Sequence, residues 1–191
     1  MDIPGKGKGV IATRDIIRGE LLYRESPLFI VPGQSTCSVL LIDVAEANQG
    51  AVRELSVSVP PAELMGKLLP TLSKIDRAAL FNLSYARLPP NLSKDDPDYD
   101  AQVALAITQT NGIAAGIRGV GVFPGVSRMN HGCSKAFNAV YSWREKERKL
   151  VVHAIRPIKR GQEILTAYFD TRRPRHERRL ARIPRFASLK S

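Results

Sequence analysis

The chain has 191 residues, of which 43% are hydrophobic and 25% are charged, and its formal net charge is +11. A chain of this length can form one compact domain with a sizeable core. Its apolar runs, such as residues 39–45, are far shorter than the ~20 residues that a membrane span needs, which argues against a membrane protein. Cys37 and Cys133 are too few for a disulfide framework, so we expect a soluble intracellular protein.

Most of the positive charge lies at the C-terminal end. Residues 171–191, TRRPRHERRLARIPRFASLKS, carry a net charge of +7, which leaves +4 for the first 170 residues. A solvated, Arg-rich terminal helix explains this run, and a contact with nucleic acid is the alternative, because basic clusters attract polyanions. Such a run can also act as a nuclear signal, so we expect the protein in the nucleus or the cytoplasm.

The first part of the chain predicts strands and the next part predicts helices. Residues 1–33 are rich in β-branched and aromatic residues with interspersed glycines, which indicates short strands near 9–12 and 21–30 and a turn at 16–19. Residues 34–100 then carry apolar residues at helical spacing, in VAEANQGAVRELS and PAELMGKLLPTLSKIDRAALFNLS. This spacing, interrupted by prolines, predicts a helical insertion.

Strand patterns return after the insertion. One more helix is predicted over DAQVALAITQTNGIAAG, and strand-like alternation follows in VGVFPGVSRMN, AVYSW, KLVVHAI and EILTAYF. The order strands, helices, strands indicates one β-rich α+β domain whose sheet residues are separated in sequence. We expect four segments: the N-terminal part of this domain at 1–33, the insertion at 34–100, the C-terminal part at 101–172 and a basic tail at 173–191.

The cluster N-H-x-C, formed by Asn130, His131 and Cys133, has three interpretations on local grounds. Imidazole and thiolate are good zinc ligands, but a structural zinc needs four ligands and no C-x-x-C accompanies Cys133. A cysteine–histidine nucleophile pair would need an orienting acid, which the sequence does not place. A buried, hydrogen-bonded histidine with a buried thiol is the purely structural interpretation.

Three motifs that follow one another along the chain suggest a further interpretation of this cluster. GKGKGVIATRDIIRGELLY opens the chain, SRMNHGC follows the insertion, and RPIKRGQEILTAYFD comes later. Together they resemble the SET-domain protein lysine methyltransferases, and the helical interruption is most similar to the SET and MYND-related and short fungal SET proteins, without the MYND finger. The resemblance implies an α+β, β-rich fold of the β-clip type, with short sheets, a threaded pseudoknot and a helical insertion.

The resemblance also implies a role for particular residues. A glycine-flanked turn lets the backbone approach S-adenosylmethionine, since glycine lacks a Cβ atom. The implied cofactor contacts are Lys6, Gly7, Lys8, Asn111, Asn130 and His131. Ile113 and Tyr168 are implied to contact the substrate lysine, and Tyr168 is implied to be the catalytic residue, with its hydroxyl where methyl donor and target nitrogen meet. The structural alternatives are a flexible N-terminal turn for residues 6–8, core positions for Asn111 and Ile113, and a strand tyrosine with a hydrogen-bonded hydroxyl for Tyr168.

The activity implied is methyl transfer from S-adenosylmethionine to a neutral lysine nitrogen of a protein, histone or non-histone. Positioning by the Tyr168 hydroxyl and backbone carbonyls, rather than a strong base, would supply most of the acceleration. His131 is then a cofactor contact and not a general base. The alternative from another class is a SET-fold binding or scaffold protein without turnover, which contacts nucleic acid through its basic tail.

Two departures from the family pattern keep that alternative open. Family members continue into a Y-G-F segment and a C-x-C-x-x-C group that shares a zinc with the cysteine of N-H-x-C, whereas this sequence reads HERRLARIPRFASLKS. We therefore expect Cys133 to lack zinc partners and the chain to hold no metal. The proline and asparagine that usually follow N-H-x-C are replaced by Ser134 and Lys135, and Asn138 is displaced.

Overall fold

A computed structural model describes residues 2–3, 7–32, 60–133 and 136–168. The strands in chain order are β1 (Asp2–Ile3), β2 (Gly7–Lys8), β3 (Leu21–Glu25), β4 (Ile30–Val31), β5 (Ile113–Ala114), β6 (Val120–Gly121), β7 (Asn130–His131), β8 (Ala139–Arg144), β9 (Lys149–Ala154) and β10 (Leu165–Thr166). The α-helices are α1 (Pro61–Leu68), α2 (Lys74–Phe81) and α3 (Tyr99–Asn111).

The chain divides into two compact units. The first unit comprises Met1–Glu25 and Gly125–Ser191, and the second unit comprises Ser26–Pro124. Within the described ranges, the second unit contains the three α-helices, while the first contains the strands β1 to β3 and β7 to β10. The segment boundaries expected from the sequence stay a prediction.

The first unit contains a three-stranded antiparallel sheet with the order β3-β9-β8. Leu150, Val151, Val152 and Ala154 of β9 are all buried; since successive side chains of a strand point to opposite faces, β9 is covered on both faces around residue 151. The register places Glu25, the last residue of β3, opposite Leu150. A buried strand thus fixes the position of the end of β3.

The second unit packs its helices around an apolar core. Pro61 stands at the first position of α1, where a missing N–H costs nothing, and the Ser73 hydroxyl caps α2 by accepting the Asp76 N–H at 3.1 Å. The largest fully buried core side chains of this unit are Phe29, Met65, Leu68, Leu80, Ile107, Val122 and Phe123. The helices predicted over 61–84 are confirmed, and the helix predicted over VAEANQGAVRELS lies outside the described residues.

The predicted helix over 100–116 is too long at its C-terminal end. Helix α3 ends at Asn111, and Ile113 pairs with Gly121 in the antiparallel sheet β4-β6-β5. Gly112 leaves the helix with an extended ψ of 132°. A Cβ atom there would overlap Val120, so the strand pairing and the missing side chain act together to stop the helix.

The strand predicted over 21–30 is two strands in different sheets. β3 ends at Glu25, and β4 begins at Ile30 and pairs with β6. Pro27 lies between them and has no N–H to donate to a ladder, which explains the interruption. The strand predicted over 9–12 is reduced to a single bridge between Ile11 and Glu163, while the predicted turn contains Gly19 at φ +85°.

Short sheets and three α-helices make up the described part of the chain, which confirms the α+β class. The longest of these helices, α3, has 13 residues. None of the helices in the described ranges is long and apolar enough to cross a membrane.

Asn138 stabilises the segment that contains β10. Its side-chain amide donates to the Glu163 carbonyl and its side-chain oxygen accepts the Leu165 N–H, both at 2.8 Å. Its backbone N–H donates to Leu165 at 3.0 Å, and its carbonyl accepts the Ile155 N–H at 2.9 Å. Asn138 is only 7% exposed, so these four bonds satisfy a buried polar residue while fixing β10.

We expect Asn138→Ala to lower the free energy of unfolding by about 2–4 kcal/mol, because it leaves the Leu165 N–H and the Glu163 carbonyl without their partner in a buried place. Chemical denaturation followed by far-UV circular dichroism measures this. The control is Asn91→Ala at an exposed turn position, which we expect to change stability by less than about 0.5 kcal/mol. Equal effects of the two substitutions would contradict the role of Asn138.

Candidate functional site

The candidate site is organised by a parallel pair of very short strands. In β7 and β10, Asn130 pairs with Leu165 and His131 pairs with Thr166. The ladder continues with the Gly132 N–H, which donates to the Thr166 carbonyl at 2.9 Å. Thr166 is 1% exposed, so the pairing is anchored at a buried position.

Asn130 connects three parts of the sequence. Its side-chain amide donates to Glu163 Oε1 at 2.8 Å and lies 3.4 Å from the Lys8 carbonyl oxygen. Gly9 passes so close that an added Cβ atom would come within 2.9 Å of the Asn130 amide nitrogen and 3.0 Å of the Glu163 carboxylate. The glycine-rich turn and the N-H motif, predicted to act together, therefore meet at Asn130.

His131 is held through one of its ring nitrogens. Nδ1 accepts the backbone N–H of Tyr168 at 3.1 Å, which assigns the proton of a neutral ring to Nε2. Nε2 lies 2.9 Å from the sulfur of the exposed Cys133. Because the nitrogen that faces the thiol already carries a proton, it cannot remove one from Cys133. This arrangement opposes the nucleophile-pair interpretation.

The purely structural interpretation of N-H-x-C fits only in part. His131 is half-buried and hydrogen-bonded, as that interpretation requires, but Cys133 is exposed and not a buried thiol. In the parts of the chain that the structure describes, no three His, Cys, Asp or Glu side chains come together in a way that would hold a metal ion. The expectation of a metal-free chain stays a prediction.

Tyr168 has its backbone and its hydroxyl anchored to the same segment. The hydroxyl donates to the Met129 carbonyl at 2.7 Å, and the ring centroid lies 5.2 Å from that of His131. Burial of the hydroxyl raises the pKa of Tyr168 to about 12, and the charges of Tyr141 and Glu163 add to this shift. The residue as a whole is 44% exposed, so the buried hydroxyl and an accessible surface occur in one side chain.

The glycine-rich turn leaves room for a ligand at one position. Gly7 has a φ of +72°, which side-chain-bearing residues rarely adopt, and among the described residues other than its chain neighbours no atom lies within 4 Å of an added Cβ. Gly7 and Lys8 are both exposed in β2. The space that the described residues leave beside Gly7 fits the implied cofactor contact. Lys6, the third residue implied here, lies outside the described residues.

Asn111 and Ile113 belong to the second unit. The Asn111 side-chain amide donates to the Ser84 carbonyl at 2.7 Å and to the Ile107 carbonyl at 2.8 Å, which fixes it at the end of α3. Ile113 is half-buried in β5. The cofactor role of Asn111 and the substrate role of Ile113 stay predictions.

Two groups at the site were not assigned from the sequence. Glu163 accepts the Asn130 amide, and its place in the G-x-E part of the third motif was the available signal. Met129 contributes its backbone carbonyl to Tyr168. Every residue has a carbonyl, so no residue type at position 129 could have indicated this contact.

The raised pKa of Tyr168 predicts its titration. Folding favours the neutral phenol, so this contribution to stability is complete below pH ~10, the ordinary pKa, and is lost as the pH rises toward about 12. We expect the difference between the ultraviolet titrations of the wild-type protein and Tyr168→Phe to show a phenol still protonated at pH ~10.5. A midpoint near 10 for this tyrosine would contradict the buried hydroxyl.

Comparisons with known proteins agree with this geometry. The family model described as the SET domain matches residues 7–169. A curated protein of Schizosaccharomyces pombe, named histone-lysine N-methyltransferase set5, is 31% identical over 179 residues, which cover 92% of this chain and 43% of that relative. The chain thus spans less than half of the length of this relative.

The family match contains all the described site residues of both units, from Gly7 to Tyr168. It confirms the resemblance that the three motifs predict and the SET-type fold that this resemblance implies. Because the match extends over most of the sequence, the chain belongs to the SET domain family.

Proposed function

We propose that the chain is an S-adenosylmethionine-dependent protein-lysine N-methyltransferase. The observation that carries this proposal is the double anchoring of Tyr168, through its N–H to His131 and through its hydroxyl to the Met129 carbonyl. In a SET-domain chain this arrangement fixes the hydroxyl beside the N-H motif. The name of the set5 relative, a histone-lysine N-methyltransferase, supports a protein lysine, and a histone lysine in particular, as the acceptor.

The residues of the first unit fit the cofactor. Gly7 and Lys8 are exposed in β2, and Asn130, whose amide lies 3.4 Å from the Lys8 carbonyl oxygen, forms strand β7 together with His131. We propose that these four residues, together with Lys6 and Asn111, hold S-adenosylmethionine. When bound, the cofactor supplies an electrophilic methyl group on a sulfonium.

The chain's own contribution is orientation rather than proton abstraction. With a pKa of about 12, the Tyr168 hydroxyl is neutral at physiological pH and is not a general base. Its proton is donated to the Met129 carbonyl, so the lone pairs of the phenol oxygen have a fixed direction. A directed oxygen that does not have to reorganise favours one geometry of the acceptor nitrogen.

The acceptor lysine must be neutral to attack. Its ordinary pKa is ~10.4, and transfer into a site sheltered from water lowers the pKa of an ammonium group because the charged form loses hydration. We propose that half-buried Ile113 provides part of the apolar lining for this side chain.

The basic tail, residues 171–191, lies outside the described residues. A contact of this tail with nucleic acid is a further expectation for the same enzyme, and so is a location in the nucleus.

Cofactor binding is tested at the N-H motif. We expect Asn130→Ala and His131→Ala each to abolish the rise in melting temperature that S-adenosylmethionine produces in the wild-type protein, because each removes an implied contact. A native far-UV spectrum of each variant shows that the fold is retained. Asn91→Ala is the matched control and should keep the full rise. Unchanged affinity in both site variants would refute the cofactor assignment.

Catalysis is tested at Tyr168. Tyr168→Phe keeps the ring and deletes only the hydroxyl, so we expect cofactor affinity within a few-fold of the wild-type value and a kcat for methyl transfer to histone peptides lowered by at least ~10-fold. Tyr85→Phe makes the same change at an exposed tyrosine of the second unit and should leave kcat unchanged. A wild-type chain that binds cofactor but methylates no protein lysine would instead favour the scaffold alternative.

A further inference from the structure

The carboxylate of Glu25 accepts hydrogen bonds from the backbone about 100 residues further along the chain. Glu25 is the last residue of β3 and is half-buried, and its two oxygens accept two successive N–H groups: Oε1 from Gly125 at 2.8 Å and Oε2 from Val126 at 2.9 Å. Successive N–H groups of a turn form a concave site for an anion. Burial raises the pKa of Glu25 even though both bonds favour the charged form, so placing a carboxylate here has a cost in desolvation.

Strand β3 restricts Gly125 from a second side as well. A Cβ atom at this glycine would overlap the ring and hydroxyl of Tyr23, which lies two residues before Glu25 on the same strand. Gly125 is therefore confined between the ring of Tyr23 and the carboxylate of Glu25. The backbone at this point can shift little unless β3 shifts with it.

A short, hydrogen-bonded turn connects Gly125 to the candidate site. Residues Val126–Arg128 form one turn of 3₁₀-helix, closed by the Arg128 N–H donating to the Gly125 carbonyl at 3.2 Å and by the Met129 N–H donating to the Val126 carbonyl at 3.0 Å. Met129 is 2% exposed, and its own carbonyl accepts the Tyr168 hydroxyl. Three hydrogen bonds, linked through the backbone of Val126 and of Met129, thus lead from the Glu25 carboxylate to the Tyr168 hydroxyl.

We propose that Glu25 is a positioning residue for catalysis, which holds the 125–129 turn so that the Met129 carbonyl orients the Tyr168 hydroxyl. This inference rests on the proposed function. Glu25 itself touches neither substrate nor cofactor in this role. Because a displacement of ~1 Å at a reacting group can change a rate by ~100-fold, a carboxylate that fixes a turn can act on turnover from a distance.

Glu25→Gln is the sharpest substitution for a test. Glutamine has nearly the same shape but presents an NH2 group to one of the two N–H donors, so one of the two bonds is lost. We expect kcat to fall by about 5–10-fold while the KM for S-adenosylmethionine stays within about 2-fold. The control is Glu20→Gln: Glu20 is in the same unit, accepts the Ile17 N–H at 3.1 Å and pairs with Arg14, but has no bond to the turn, and its replacement should leave kcat unchanged.

A double-mutant cycle separates positioning from general destabilisation. If Glu25 acts through the Tyr168 hydroxyl, then Glu25→Gln should lower kcat by less than about 2-fold in a Tyr168→Phe background. The same 5–10-fold loss in that background would overturn the proposal. If Glu25→Gln does not fold, Glu25→Asp keeps the charge but shortens the side chain by one methylene, and the cycle is repeated with it under the same criteria.

A second measurement distinguishes a failure of this inference from a failure of the proposed function. The ultraviolet titration of Tyr168, taken in each background as the difference from the same protein with Tyr168→Phe, reports the hydroxyl without any turnover and leaves out Tyr23, whose pKa burial and the charge of Glu25 raise. Glu25→Gln should lower the midpoint of this difference while Glu20→Gln should not, since a weaker bond to Met129 disfavours the neutral phenol. A shift without methyl transfer by the wild-type protein refutes the enzyme and retains the link from Glu25 to Tyr168. An active wild-type protein whose Tyr168 titration ignores Glu25→Gln refutes the link alone.

Discussion

The parallel pairing of β7 with β10 is the interaction on which the candidate site depends. It joins two stretches that are far apart in sequence, since Asn130 and Glu163 are separated by 33 residues and the β8–β9 hairpin lies between them. Parallel strands always need such a crossover, and two residue pairs alone form a weak ladder. The pairing therefore depends on side chains at its borders. The Asn138 side chain hydrogen-bonds to the backbone of Glu163 and Leu165, and the Asn130 amide donates to the Glu163 carboxylate.

The polar character of this arrangement has a physical reason. Apolar contacts are non-directional, and they fill the core of the second unit, where Phe29, Leu68 and Ile107 are buried between the helices. Hydrogen bonds depend on angle as well as distance, so they orient a group. Asn138, Glu25 and His131 each hydrogen-bond to the backbone of a neighbouring segment, and the Tyr168 hydroxyl in turn donates to the backbone carbonyl of Met129.

Sequence patterns predicted the elements that are determined by nearby residues in the chain. Apolar spacing interrupted by prolines predicted helices α1 and α2, and the motifs predicted the grouping of Lys8, Asn130 and Tyr168, which lie in one unit. The predicted end of α3 was wrong because the pairing of Ile113 with β6 determines where the helix stops. This pairing is a tertiary contact, which the local sequence pattern does not show.

The groups that escaped prediction act through the backbone or across long separations. Glu25 is the last residue of β3, whose sequence gives no sign of a special role for it. Its hydrogen-bond partners lie 100 and 101 residues further along the chain. The turn after N-H-x-C differs from the family pattern, yet the displaced Asn138 still makes four hydrogen bonds around β10. A change in loop length can thus conceal an anchoring residue from a motif search.

The acceptor that orients the Tyr168 hydroxyl is a peptide carbonyl, and this makes it insensitive to ordinary mutation. A codon change at position 129 replaces a buried apolar side chain but leaves the same oxygen in the chain. Selection at this position can therefore act only on volume and hydrophobicity, and drift among similar apolar residues would not alter the chemistry. The vulnerability moves instead to residues that hold the backbone, so that inactivating mutations in such a site are expected at positions that never contact the substrate.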